Sequence, residues 1–165
     1  MRSLGLDVGD KRTGVAISDP LGILALPLTV INHEGEDATI NHIIKLVEQH
    51  EIERIVIGLP RCLNGSLGGQ AKKVTAFAER LRSVVANEAR QSHFARVDIQ
   101  MWDERLSTRA AERLMMDAGG GRNKLRSRAK KGAQTRCLAA KAAVDAVAAA
   151  FVLQGFLDSL KEMSS

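Results

Sequence analysis

The stretch Ser3 to Asp19, SLGLDVGDKRTGVAISD, decides how the rest of the chain is read. It holds two apolar runs, Leu4 to Val8 and Gly14 to Ser18, joined by the turn-forming Gly9-Asp10-Lys11-Arg12, which is the pattern of a β-hairpin. A carboxylate, Asp7, interrupts the first run between Leu6 and Val8. Desolvating a charge without a partner costs several kcal/mol or shifts its pKa. Asp7 therefore either ends an edge strand and bonds the turn backbone, or it faces a metal or a phosphate. In the second case Gly9 and Gly14 let backbone come close to a ligand.

Working outward, Leu21 to Ile31 continues as a third extended run, and Pro27 within it predicts an edge position. Ala38 to His50 spaces Ile40, Ile43, Ile44 and Val47 as an amphipathic helix does. Arg54 to Leu59, RIVIGL, is a short apolar run stopped by Pro60, as a strand buried on both faces would be. The glycine-rich loop Pro60 to Gly69 opens onto a helix over Gln70 to Glu88, and Val97 to Met101 alternates as a half-buried strand. Ser107 or Thr108 can cap a further helix through Met116, which Gly119-Gly120-Gly121 ends. Leu138 to Leu160 reads as a largely buried helix. The order βββαβαβα(α) predicts an α/β chain: a mixed five-stranded sheet, an antiparallel meander extended by parallel strands, flanked by helices. Its 165 residues suit one domain, 1–165, with a basic, mobile connection at about 118–137.

Composition is that of an ordinary globular protein, 45% apolar and 26% charged. No run of 18 or more apolar residues is present and the N-terminus carries no charged-then-apolar leader, so a cytoplasmic protein without membrane contact is expected. Cys62 and Cys137 lie far apart in unlike contexts, and His33, His42, His50 and His93 show no ligand spacing, which argues against a disulfide framework or a zinc site. Charge is the informative quantity. Between Ala118 and Val144 stand eight basic residues and no acid: Arg122, Lys124, Arg126, Arg128, Lys130, Lys131, Arg136 and Lys141. Outside them 16 basic residues face 19 acids, so the net charge of +5 comes from this one segment. A basic block on a slightly acidic body points to a polyanion partner; the bland reading is a soluble loop.

Three acidic sites interrupt apolar elements. Asp7 is the first. Asp145 is the second: by helical steps it shares a face with Leu138, Ala142, Ala149 and Val152, where it must pair with a core Arg or Lys or serve a site. The third, Asp103-Glu104, stands at a strand end, where open sheets place their ligand groups. Carboxylates gathered at the end of a mixed sheet suit one or two Mg²⁺ or Mn²⁺ ions, hard cations that take oxygen ligands. Two such ions activate a water and stabilise the leaving oxygen in phosphodiester hydrolysis. Lys11, Arg12 and Arg105 beside the carboxylates, and Arg122, Lys124, Arg126, Arg128, Lys130 and Lys131 in the block, are the candidates for holding nucleic-acid phosphates. Few aromatics make backbone charge and shape the expected mode of recognition.

Four blocks in order, LGLDVGDKRTGVAISD, VIGLP with its glycine-rich loop, WDERLST followed by AAERLM, and VDAVAAAFVLQGFL, resemble the YqgF family of Holliday-junction-resolvase-like proteins and pre-16S rRNA nucleases. The resemblance implies an RNase H-like fold. It implies that Asp7, Glu104 and Asp145 are the catalytic, metal-binding acids, with Asp103 as a further candidate ligand. The implied substrate is structured nucleic acid: the 5′ end of pre-16S rRNA in ribosome biogenesis or, in the alternative, a four-way DNA junction. Cutting two strands of a junction symmetrically would require a homodimer, whereas RNA processing allows a monomer. A non-catalytic nucleic-acid-binding protein of ribosome assembly is the reading from another class. Retention of all three costly carboxylates favours the enzyme.

Overall fold

The turn at residues 9–12 closes through the Gly9 N–H, which donates to the Arg12 carbonyl at 2.9 Å. From it β1 (Ser3–Val8) and β2 (Arg12–Ser18) run antiparallel, as the two apolar runs predict. The computed structural model describes residues 1–60, 68–88, 97–103 and 133–163, with the backbone alone over 133–143. Within these lie β3 (Ala25–Asn32), α1 (Glu36–Gln49), β4 (Arg54–Leu59), α2 (Gly69–Glu88), β5 (Asp98–Asp103) and α3 (Ala133–Met163). The five strands form one sheet in the order β3-β2-β1-β4-β5. β2 and β3 pair antiparallel to complete the meander, while β1–β4 and β4–β5 pair parallel. The mixed sheet is thus the expected one, with Pro27 on the outer strand β3 and Asp7 on the central strand β1.

Strand alternation sorts the core into two layers. Leu4, Leu6, Val8, Val15, Ile55, Ile57 and Leu59 pack against Ile40, Ile43 and Val47 of α1 and Val74, Phe77, Ala78 and Leu81 of α2. Fully burying each of the larger aliphatic side chains contributes about 1.5–3 kcal/mol. The opposite face carries smaller residues, Ala16 and Val56, under Ala149, Val152, Leu153 and Phe156 of α3. Small side chains let that helix lie close to the sheet. A Cβ on Gly5 would stand 2.7 Å from the Leu153 Cβ, and one on Gly14 only 2.0 Å from the Asp145 carbonyl oxygen. Gly14 does admit a close backbone approach, and the backbone is that of α3 at Asp145.

Three boundaries differ from expectation for local reasons. β3 starts at Ala25 rather than Leu21, because the Asp19 carboxylate accepts hydrogen bonds from the Ile23 and Leu24 N–H groups at 2.6 and 3.0 Å and holds 19–24 in a turn. β5 continues through Trp102 to Asp103, since its ladder with β4 extends to the pair Leu59–Asp103. α3 begins at Ala133, inside the stretch read as the basic connection, consistent with the helix-favouring Ala, Gln, Arg, Leu and Lys residues there. The expected helix through Met116 and most of the basic block lie outside the described residues. Among the described residues no helix is long and apolar enough to cross a membrane.

Candidate active site

β1 and β2 register Asp7 opposite Gly14. Cross-strand partners project to the same face, so the Asp7 side chain emerges where Gly14 leaves room for the α3 backbone at Asp145. Two acids separated by most of the chain are brought together by one missing Cβ. The carboxyl of Asp7 is held above the ordinary carboxylate range, first by burial and then by the charge of Asp145. None of the described donors forms a hydrogen bond to it, which removes the reading of Asp7 as a turn-bonding residue on an edge strand.

Asp145 has a cationic neighbour: the Arg12 Nε lies 3.1 Å from its Oδ2, both side chains being about one-third exposed or less. The contact is an ion pair without hydrogen-bond alignment, for Oδ2 is buried and lacks a hydrogen-bonded partner among the described residues. The salt bridge expected of Asp145 is therefore present, and its partner is Arg12. Arg12 shares a face of β2 with Gly14 and Ala16 by the two-residue period of the strand. That period was available in the sequence, yet it marked Arg12 only as a phosphate contact.

Asp103 ends β5 in register with Leu59 and alternates with Trp102, which puts it out of phase with the face that carries Asp7. Trp102, in register with Gly58, packs edge-on against Phe156 of α3 with ring centroids 5.5 Å apart, and the Arg54 guanidinium covers Phe156 at 5.4 Å. Trp102 is thereby a packing residue. Lys11 is exposed in the hairpin turn. Glu104, Arg105, Arg122, Lys124, Arg126, Arg128, Lys130 and Lys131 lie outside the described residues. Among the described residues no three acidic, histidine or cysteine side chains gather as a metal cluster.

Sequence reasoning missed the contacts of α2 with the end of β1. The Gln70 Nε2 donates to the Val8 carbonyl at 3.1 Å, and the Lys73 Nζ to the Asp10 carboxylate at 2.8 Å. This hydrogen bond and ion pair pull the exposed carboxyl of Asp10 below its usual range. Gln70 and Lys73, three residues apart on the helix turn that follows the glycine-rich loop, were the signal. His33 shares a 2.8 Å hydrogen bond with the buried Thr13 hydroxyl and is not a free surface residue.

A mixed five-stranded sheet with an acid on its central strand, a second acid on the last helix and helices on both faces defines the RNase H-like class. Residues 1–159 match the family model described as "RuvX: Holliday junction resolvase", and the chain belongs to that family. It is 40% identical over 162 residues to a protein of Clostridium botulinum named "Putative pre-16S rRNA nuclease", covering 98% of this chain and 100% of that one. A protein of the same name from Desulforamulus reducens is 38% identical over 159 residues, covering 96% and 98%. The fold is also that of Thermus thermophilus RuvC solved in complex with a Holliday junction substrate (TM-score 0.54, 16% identity, 98% of this chain and 96% of that one). It is likewise similar to the yeast mitochondrial Holliday junction resolvase Ydc2 (TM-score 0.55, 12% identity, 94% and 77%).

Proposed function

We propose that this chain is a divalent-metal-dependent nuclease that processes the 5′ end of pre-16S rRNA. The observation that carries the reading is the Asp7–Asp145 pair. Two carboxylates from distant elements are held together in a partly desolvated corner, at the expense of a raised Asp7 pKa, with no hydrogen bond to Asp7 from the described residues. Burial and, after it, the charge of Asp145 both oppose ionisation of Asp7, and a bound hard cation would offset both. The donor set fits Mg²⁺ or Mn²⁺: all-oxygen ligands, one of them the buried Oδ2 of Asp145, which is ion-paired with Arg12 but has no hydrogen-bonded partner among the described residues. Asp7 and Asp145 would hold the ion, with Glu104 as the further acid. When bound, the cation supplies Lewis acidity that lowers the pKa of a water and draws charge from the phosphate under attack.

The chain's own residues would do the rest. Asp7, on the central strand, and Asp145, seated over Gly14, would hold the cation at the sheet end, and the phosphate would be drawn there by that cation and by Arg12. Arg12 stands where it can neutralise either Asp145 or a phosphate oxygen. Lys11 and the basic residues from Arg122 to Lys131 would contact the backbone and give binding a strong salt dependence. Support for the RNA substrate comes from the names of full-length relatives at about 40% identity. The family description and the resolvase-like fold favour a second reading, cleavage of a four-way DNA junction. Side-by-side cleavage of a labelled 16S leader RNA and a four-way junction, each with Mg²⁺, Mn²⁺ or EDTA, tests both.

A further inference from the structure

On the α1/α2 side of the same strand end lies a cavity of about 410 Å³, within the range of sites that hold small organic ligands. Its floor is largely apolar and nearly sealed from water: Val8 and Phe77 are 9% and 7% exposed, and Thr39, whose hydroxyl donates to the Gly35 carbonyl, is 2% exposed. Its walls offer hydrogen-bonding side chains. Gln70 uses its Nε2 on the Val8 carbonyl, which leaves the Oε1 as an acceptor. His33 uses its Nε2 on Thr13, which leaves the other ring nitrogen. The charged groups present do not suit a free anion, because Lys73 is already paired with Asp10 and Glu36 adds a second carboxylate. A flat heteroaromatic ring with donors and acceptors on its edge suits this combination of a largely apolar floor and a wall with open hydrogen-bonding positions.

The position identifies the ring. Val8 and Gly9 follow Asp7 directly in the chain, so one strand end presents Asp7 to the α3 side and Val8 to the cavity. Lys11, exposed in the hairpin turn between these two sides, is available to the phosphate of a neighbouring nucleotide. Resting on the nuclease reading, we infer that this cavity takes one unpaired nucleobase flanking the phosphate that is cut. A base enters such a pocket only when it has left its stack. The pocket therefore selects strands with an unpaired nucleotide next to the cut, as at a branch point or a single-stranded 5′ extension, and rejects continuous duplex.

The test is abasic scanning of binding, read by anisotropy on the Asp7→Asn chain so that cleavage plays no part. Abasic sites are walked one at a time through the nucleotides around the branch of a four-way junction and around the processing site of a 16S leader RNA. The same series is run on a chain that also carries Gln70→Ala and Lys73→Ala, substitutions that favour the helix they sit in. One abasic position should weaken binding about fivefold or more, as loss of a stacked base does, and the same position should have no effect in the Gln70/Lys73 variant. Equal abasic losses in both chains, or no position with more than about a twofold effect, would overturn the pocket. Wild-type cutting without this coupling would remove the pocket and keep the nuclease. The coupling without wild-type cutting would remove the nuclease and keep the pocket.

Discussion

Replacing Gly14 by Ala should both destabilise the fold and part its two acids. An added Cβ would sit 2.0 Å from the Asp145 carbonyl oxygen and 2.5 Å from its carbon, where contacts under 3.0 Å essentially never occur. The obstacle is backbone on both sides, so no side-chain rotation relieves it; α3 must retreat from β2 by at least about 1 Å. Overpacking of this kind costs about 1–3 kcal/mol, and a clash between a central strand and a helix backbone belongs at the upper end. At about 2–4 °C per kcal/mol for a chain of this size, the melting temperature should fall by roughly 6–12 °C. Because the displaced residue is Asp145, cleavage measured well below the new melting temperature should fall about a hundredfold, the usual effect of a 1 Å misplacement. Thermal melting and single-turnover cleavage give the two readouts. Gly69→Ala, at the start of α2 with no atom within 4 Å of the new Cβ, should change neither. A Gly14→Ala chain that melts and cuts like the wild type would refute the proposed seating of α3 on β2.

Further outcomes follow from the same site. Asp7 has a raised pKa in the fold, so its ionisation opposes folding: the native state is favoured below the unfolded value of 3.8 and loses that advantage as pH rises through the folded pKa. Asp7→Asn should therefore match the wild type in denaturant melts near pH 4 and exceed it in metal-free buffer at pH 7.5; a variant less stable at neutral pH would contradict this. Mg²⁺ at a hundred times its dissociation constant should stabilise the wild type by about 2.7 kcal/mol and leave Asp7→Asn nearly unmoved in calorimetry. Arg12→Gln removes a partly exposed ion pair and should lose about 0.2–1 kcal/mol without metal, while binding Mn²⁺ more tightly by titration because a competing cation has gone. Changing Arg126, Arg128, Lys130 and Lys131 to Ala should flatten the salt dependence of nucleic-acid binding on a log–log plot, by up to about 0.9 in slope for each phosphate left without its cation. An unchanged slope would assign the block no role in binding.

The sheet was legible in the sequence wherever local chemistry carries the information. The hairpin follows from its two apolar runs and turn residues, the edge position of β3 from Pro27, and β4 from an apolar run bounded by Pro60. Helical counting also placed Asp145 on the face that meets the sheet, beside Ala149 and Val152. The start of β3 was not legible, because the Asp19 carboxylate turns the chain through hydrogen bonds that an apolar run does not reveal. Nor was the structural use of Gly14. Its meaning depends on Asp145 packing against it across most of the chain, a long-range contact that neither period nor spacing encodes. The Arg12–Asp145 pair was half legible: alternation puts Arg12 on the correct face, but its partner is known only once α3 is seated. Lys73 and Gln70 were passed over because their partners, Asp10 and the Val8 carbonyl, lie 63 and 62 residues away in the chain.

The most direct test is cleavage of the 16S leader RNA and of the four-way junction by the wild type and by Asp7→Asn, in Mg²⁺, Mn²⁺ and EDTA. Metal-dependent cutting of the leader RNA by the wild type, abolished in Asp7→Asn while binding is retained, is the predicted result. Cutting that survives the substitution or EDTA would contradict a metal site at Asp7 and Asp145.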